Sequence, residues 1–127
     1  YQIETARLFR TLAQLHEKPG DSEKTIEYSR EALSLSEVLL ETDKEVENNN
    51  SFKIKHLLSV ARDYGLLGRN LANLKDQFNL DEAIECIKKS QIKYKEALEE
   101  NPSNENALKG YEWATDFLSK RIPKKTS

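Results

Sequence analysis

Methionine is absent from this chain of 127 residues, and cysteine and tryptophan occur once each. Four glycines and three prolines are few for a fold of strands and tight turns, so long helices are favoured. The single cysteine, Cys86, excludes an intramolecular disulfide and fits a reducing, intracellular compartment. Apolar runs are much shorter than a membrane-spanning helix requires, so we expect no membrane span.

The N-terminal residues and the net charge further limit the classes of protein to which the chain can belong. It begins with Tyr1 rather than Met, which we interpret as a domain cut from a larger protein. The N-terminus is amphipathic and carries Glu4 and Arg7, so we expect no signal peptide. The formal net charge of −2 lacks the basic excess typical of dedicated nucleic-acid binders. Nucleic acid is therefore not an expected partner.

Apolar residues recur at three- and four-residue steps along most of the chain, which is the pattern of amphipathic helices. No segment shows the alternation of a strand, so the sequence predicts an all-α domain of five antiparallel helices over residues 1–122. A basic tail or linker, 123–127, follows it. The predicted helices cover residues 3–16, 22–47, 52–77, 80–100 and 104–121.

Polar residues mark where the predicted helices begin and end. Proline and glycine stop the first helix, a run of asparagines stops the second, and Asn101-Pro102 stops the fourth. The predicted N-terminal caps are Asp21 or Ser22, Asn79, and Ser103. Gly65 and Gly68 lie inside the third helix, where each costs about 1 kcal/mol relative to alanine. We expect them to permit a close approach of another helix, with a hinge as the alternative.

Charge is unevenly distributed between the second and third predicted helices. Residues 22–47 hold eight acidic against three basic side chains, whereas residues 51–77 hold five basic against two acidic ones. The two helices could complement one another, although exposed ion pairs contribute only about 0–1 kcal/mol each. Alternatively, the basic side chains of the third helix face a binding groove.

Two stretches of the chain resemble each other. The first reads Phe9-x2-Leu12-Ala13-x2-His16, followed by Gly20-Asp21 and Ala32-Leu33. The second reads Leu67-Gly68-x2-Leu71, followed by Asp81-Glu82-Ala83-Ile84, with extra residues between these points. On these residues the chain resembles the tetratricopeptide repeat family, with one regular repeat, one lengthened repeat and a final capping helix. The resemblance implies helical hairpins stacked as a short right-handed solenoid; a general helix bundle and another long-helix solenoid stay open.

The resemblance also implies a concave groove lined by the first helix of each repeat, here the first, third and fifth helices. Basic and amide donors beside an indole would suit a peptide or helix of a partner protein, above all an acidic one. Core packing is the alternative role for the single tryptophan. The side chains assigned to partner binding in this way are Arg10, Gln14, Arg62, Arg69, Asn73, Asn106, Lys109 and Trp113.

Motifs that carry chemistry are missing from the sequence. Glycine-rich phosphate loops, Cys/His metal spacings and a Gly-x-Ser-x-Gly elbow do not occur, so we predict no catalytic, cofactor-binding or metal-binding residues. His16 and Cys86 are interpreted as packing residues. The prediction is a non-enzymatic protein-interaction module of a larger cytoplasmic or nuclear protein. Two alternatives stay open: a structural assembly segment that forms homo-oligomers, and a regulatory domain tethered to an enzyme outside this chain.

Overall fold

The computed structural model describes residues 8, 10–12, 22–42, 49–74 and 76–121, and within these residues it contains helices and no strand. The first helix, α1, is described at residues 8 and 10–12. The others are α2 (Ser22–Thr42), α3 (Asn50–Ala72), α4 (Gln77–Glu100) and α5 (Glu105–Arg121). The predicted all-α fold with five helices is confirmed.

Two of the predicted caps are wrong. α4 begins three residues earlier than expected because Asp76, rather than Asn79, accepts a backbone hydrogen bond, from the N–H of Asn79 at 2.9 Å. This bond also holds the pKa of Asp76 below its ordinary value. α5 is capped by Asn104 rather than Ser103, since the N–H of Ala107 donates to Asn104 Oδ1 at 3.0 Å. The predicted cap Asp21, and residues 43–47 of the predicted second helix, lie outside the described residues.

The cap of α5 provides a test of this assignment. Replacing Asn104 by alanine is expected to lower the free energy of unfolding by about 1 kcal/mol, because the N–H of Ala107 loses its acceptor. The matched control is Ser103→Ala, which removes only an exposed hydroxyl bonded to Asn101. Urea denaturation measures both variants, and an equal loss of stability in the two would contradict the assignment.

From α2 to α5, consecutive helices pack against one another in antiparallel pairs. Lys53, at the start of α3, forms an ion pair of 2.6 Å with Glu100, at the end of α4, and Ser90 of α4 bonds to Ala61 of α3. Gln91 of α4 likewise donates to Thr115 of α5 at 2.9 Å. α3 contacts α2, α4 and α5, and Arg10 of α1 reaches it as well. α3 is therefore the central helix of the described fold.

Burial of α3 extends around nearly its whole circumference. Between residues 56 and 72, every residue is buried except Ser59, which is half-buried, and Arg62 and Arg69, which are exposed. A helix surrounded on most sides is expected to be apolar on most sides. The two exposed arginines therefore mark the one strip of this segment that faces solvent.

The glycines of α3 lie where other helices approach most closely. A Cβ added to Gly68 would lie 2.6 Å from Cδ1 of Ile87 and 3.1 Å from the carbonyl oxygen of Ala83. A Cβ added to Gly65 would lie 3.1 Å from Cζ3 of Trp113. α3 continues without a break through both positions, so close approach, and not a hinge, explains them.

Candidate functional site

A pocket of about 230 Å³ lies where α1, α3, α4 and α5 meet. Three of its seven lining residues are arginines, two are aromatic, and none is acidic. The pocket thus combines positive charge with flat apolar surface. It is lined by Arg10, Arg62, Gly65, Leu66, Arg69, Tyr94 and Trp113.

α3 supplies four of the seven lining residues because residues 62, 65, 66 and 69 follow the spacing of one helical face. The two arginines lie at the two ends of this strip, about two turns apart. Gly65 lies between them and has no side chain, so the indole of Trp113 can rest directly on the backbone of α3. The sequence of α3 thereby places charge at both ends of the pocket and an aromatic surface in its middle.

Trp113 serves two purposes. Its ring centroid lies 5.6 Å from that of Phe117, and it packs against the buried cluster of Ile87, Ala114 and Leu118. The indole also lines the pocket. Core packing, the alternative role expected for the tryptophan, is therefore present. The same packing contacts hold the indole ring in place at the pocket surface.

Arg10 is fixed at the pocket by a buried carboxylate. Its Nε lies 2.5 Å from Oδ1 of Asp63, and its Nη2 lies 3.2 Å from Oδ2 of the same carboxylate. The Nη2 group also donates to Ser59 Oγ at 2.5 Å. The hydroxyl of Ser36 donates to Asp63 Oδ2 from the side of α2. One network of four side chains therefore joins α1, α2 and α3 beneath the pocket.

The electrostatics of this network are dominated by burial. The side chain of Asp63 is 0% exposed, and burial raises the pKa of its carboxyl group. The hydrogen bond and the charge of Arg10 oppose that rise, with smaller contributions from Ser36 and Arg62. Arg62 itself is exposed and makes no hydrogen bond or ion pair with any other residue in the described part of the chain.

The structure brings together four of the eight side chains predicted to bind a partner. Arg10, Arg62, Arg69 and Trp113 line the pocket. The other predicted side chains do not: Asn73 is exposed at the C-terminal end of α3, and Asn106 and Lys109 are exposed on α5. Gln14 lies outside the described residues, as do His16 and the tail 123–127.

The residues at the site that escaped prediction include two side chains of the pocket lining and one buried acid. Tyr94 and Leu66 line the pocket, and Asp63 anchors Arg10. Tyr94 belongs to the apolar stripe of α4, and stripe residues are ordinarily assigned to the core. In the sequence, Asp63 is simply one of the two acidic residues of the third predicted helix. The apolar residues around most of α3 could have revealed the burial of Asp63, because they leave little exposed surface for an acidic side chain.

The other features to consider among the described residues are a metal site, a reactive thiol and a membrane-spanning helix. No group of three or more His, Cys, Asp or Glu side chains among these residues could hold a metal ion. Cys86 is buried, and burial raises the pKa of its thiol to about 11, so the reactive thiolate is disfavoured at neutral pH. Among the described helices, none has the length and hydrophobicity needed to cross a membrane.

Comparison of the chain with protein-family models, with curated proteins and with solved structures finds no match. The resemblance to tetratricopeptide repeats therefore stays a prediction. The observations that bear on function are the order in which the helices pack and the composition of the pocket between them.

Proposed function

We propose that this chain is a non-enzymatic protein-interaction module, which binds an acidic segment of a partner protein on the face where α1, α3 and α5 meet. The observation that carries the proposal is the pocket with three arginines, two aromatic rings and no acidic lining residue. We place the module in a larger intracellular protein and interpret its helices as a short right-handed solenoid of the tetratricopeptide type.

The order of helix packing supports the solenoid interpretation. Each helix from α2 to α4 packs on the next one along the chain, and α3 also contacts α5. Arg10 brings α1 to the same side of α3 as Trp113 of α5. A solenoid of helical hairpins lines its inner face with alternate helices in this way.

The side chains of the pocket suit an acidic partner for physical reasons. A guanidinium group presents a planar set of donors that matches both oxygens of a carboxylate. Trp113 and Tyr94 offer apolar area against which the carbon atoms of a bound segment can pack. Complementary charge would raise the association rate and exclude basic segments, and burial of apolar area would supply much of the affinity.

The single tryptophan makes the proposal directly measurable. Because Trp113 is the only tryptophan and lines the pocket, its fluorescence reports on occupancy. The probes are two unstructured ten-residue peptides with blocked termini, one rich in glutamate and the other with glutamine at the same positions. A saturable change with the glutamate peptide, weaker in high salt, is expected. No change with either peptide would refute the proposal.

Charge reversal at Arg62 tests the pocket itself. We expect Arg62→Glu to weaken binding of the glutamate peptide at least about tenfold, because an attractive guanidinium becomes a repulsive carboxylate. Arg62 is exposed, so the melting temperature should change little. Lys24→Glu is the matched control, since it makes the same change of charge at an exposed position of α2. Equal affinities of the two variants for the glutamate peptide would show that the pocket is not part of the binding site.

Assembly with a second copy is a second candidate function. It is favoured by Phe78, which is 79% exposed near the start of α4, and by the exposed Leu74 in the adjoining turn. Light scattering over a range of concentrations separates the two candidates. A concentration-dependent dimer favours assembly, and a monomer at all concentrations favours the peptide-binding pocket.

A further inference from the structure

We infer that the pocket anchors one anionic side chain of an extended segment, a carboxylate or a phosphate, and that the buried Asp63 is its positioning residue. Asp63 would hold the guanidinium of Arg10 in the orientation in which it meets the ligand. The inference rests on the proposed function and names the part of the partner that enters the pocket.

The size of the pocket limits what can occupy it. An α-helix with its side chains is about 10–12 Å across, whereas a cavity of about 150 Å³ already accommodates a benzene molecule. The pocket measures about 230 Å³, which is enough for one large side chain and too little for a helix. The binding unit is therefore a single residue, and the chain that carries it crosses the surface outside.

The hydrogen bonds of Arg10 show how one donor is oriented in advance. Its Nε and Nη2 groups bond to Asp63 and Ser59, whereas Nη1 bonds to none of the residues that the structure describes. A free arginine loses side-chain freedom when it binds an anion, and that loss weakens binding. Arg10 has already lost this freedom on folding, because its side chain is only 15% exposed and its guanidinium is held at two nitrogens.

The other lining residues define the chemistry of the ligand. Arg62 is exposed and can move to meet an incoming anion, and Arg69 adds positive charge two turns further along α3. Trp113 flanks the stem of the bound side chain. A carboxylate and a phosphate share the feature that this arrangement recognises, which is a group of oxygens that accept hydrogen bonds from planar guanidinium groups.

Replacing Asp63 by asparagine separates positioning from simple electrostatics, because the two predict opposite signs. The substitution removes a negative charge beside the pocket, so electrostatics alone predicts tighter binding of an anion. Positioning predicts weaker binding, because Arg10 loses its charged anchor. We expect about tenfold weaker binding, the size of one lost charge-assisted hydrogen bond.

The experiment follows the fluorescence of Trp113 with five-residue glycine peptides whose termini are blocked and whose central residue is varied. The centre is glutamate, phosphoserine or glutamine. We expect binding of the first two and not of glutamine, and the ratio of their affinities identifies the source of the anion. A helix-stabilised peptide of the same charge that bound better than its flexible counterpart would overturn the single-residue anchor.

A second variant protects the test against a folding failure of Asp63→Asn. Ser59→Ala keeps the carboxylate but removes one acceptor of Arg10, and about threefold weaker binding is expected. Ser119→Ala, an exposed serine on α5, is its control. If the wild type binds acidic peptides but Asp63→Asn binds them equally or more tightly, positioning is wrong and the proposed function stands. If the wild type binds no acidic peptide, both are wrong.

Discussion

Replacing Arg10 by methionine is expected to lower the free energy of unfolding by about 3 kcal/mol at neutral pH. The reason is that the carboxylate of Asp63, the partner of Arg10, remains in the core. Asp63 is completely buried, and without Arg10 its carboxylate keeps only the hydroxyl of Ser36 as a donor among the described residues. An uncompensated buried charge costs more than the net value of the pair that it once formed.

The loss of stability should depend on pH in a defined direction. The pKa of Asp63 is already raised above its ordinary value of 3.8, because burial outweighs Arg10, and removal of Arg10 raises it further. The ionised carboxylate disfavours the folded variant above this raised pKa, and the penalty disappears as pH falls through it towards 3.8. The difference in free energy of unfolding between the variant and the wild type should therefore be largest at neutral pH and small in acid.

Urea denaturation at several pH values measures this gap, and a double variant provides the control. Arg10→Met combined with Asp63→Asn removes both charges, so it should be more stable at neutral pH than Arg10→Met alone. A gap that stays constant with pH would show that the ion pair is not its cause. A double variant that is as unstable as Arg10→Met alone would lead to the same conclusion.

The helices could be predicted from the sequence because their signals are local. Apolar residues three and four positions apart, and breaks such as Asn101-Pro102, depend only on neighbours along the chain. The caps were harder, because Asp76 and Asn79 are both good caps three residues apart, and Asn104 stands next to Ser103. The local sequence does not distinguish the members of such a pair, and the hydrogen bonds to the N–H groups of Asn79 and Ala107 identify the ones that act.

The buried network could not be predicted because it depends on contacts between distant parts of the chain. Asp63 lies 53 positions from Arg10 and 27 from Ser36. In the sequence it is one more charge on a helix that has several. Its burial follows from α3 being enclosed by the other helices, which no local spacing reveals. Arg10, Arg62, Arg69 and Trp113 were found through the helix order of a family resemblance, which carries such long-range information.

The contact between α3 and α4 also rests on long-range complementarity, and its loss has the second large expected effect. Ile87 is completely buried, faces Gly68 of α3, and packs with Ala114 and Leu118 of α5. It therefore fills the space where three helices meet. Replacing Ile87 by alanine is expected to lower the free energy of unfolding by about 2–5 kcal/mol, through lost burial and the cavity left behind.

The facing glycine makes this prediction specific. In the wild type, a Cβ at position 68 would lie 2.6 Å from Cδ1 and 2.8 Å from Cγ1 of Ile87, so Gly68→Ala forces the buried Ile87 side chain, or the helix that carries it, to shift. Overpacking of this kind costs about 1–3 kcal/mol, which over most of that range is more than the gain of about 1 kcal/mol from replacing glycine within a helix. Gly68→Ala alone should therefore destabilise the protein.

In the Ile87→Ala background the same substitution should be neutral or stabilising. Alanine at position 87 has neither Cγ1 nor Cδ1, so the new methyl group at position 68 enters the cavity, and of its three nearest wild-type neighbours only the Ala83 carbonyl oxygen, at 3.1 Å, remains. The higher helix propensity of alanine relative to glycine at position 68 then remains. Leu57→Ala is the control background, because Leu57 lies in a separate core cluster and its combination with Gly68→Ala should be additive. Additivity in both backgrounds, measured by urea denaturation, would show that Gly68 is not required for the approach of Ile87.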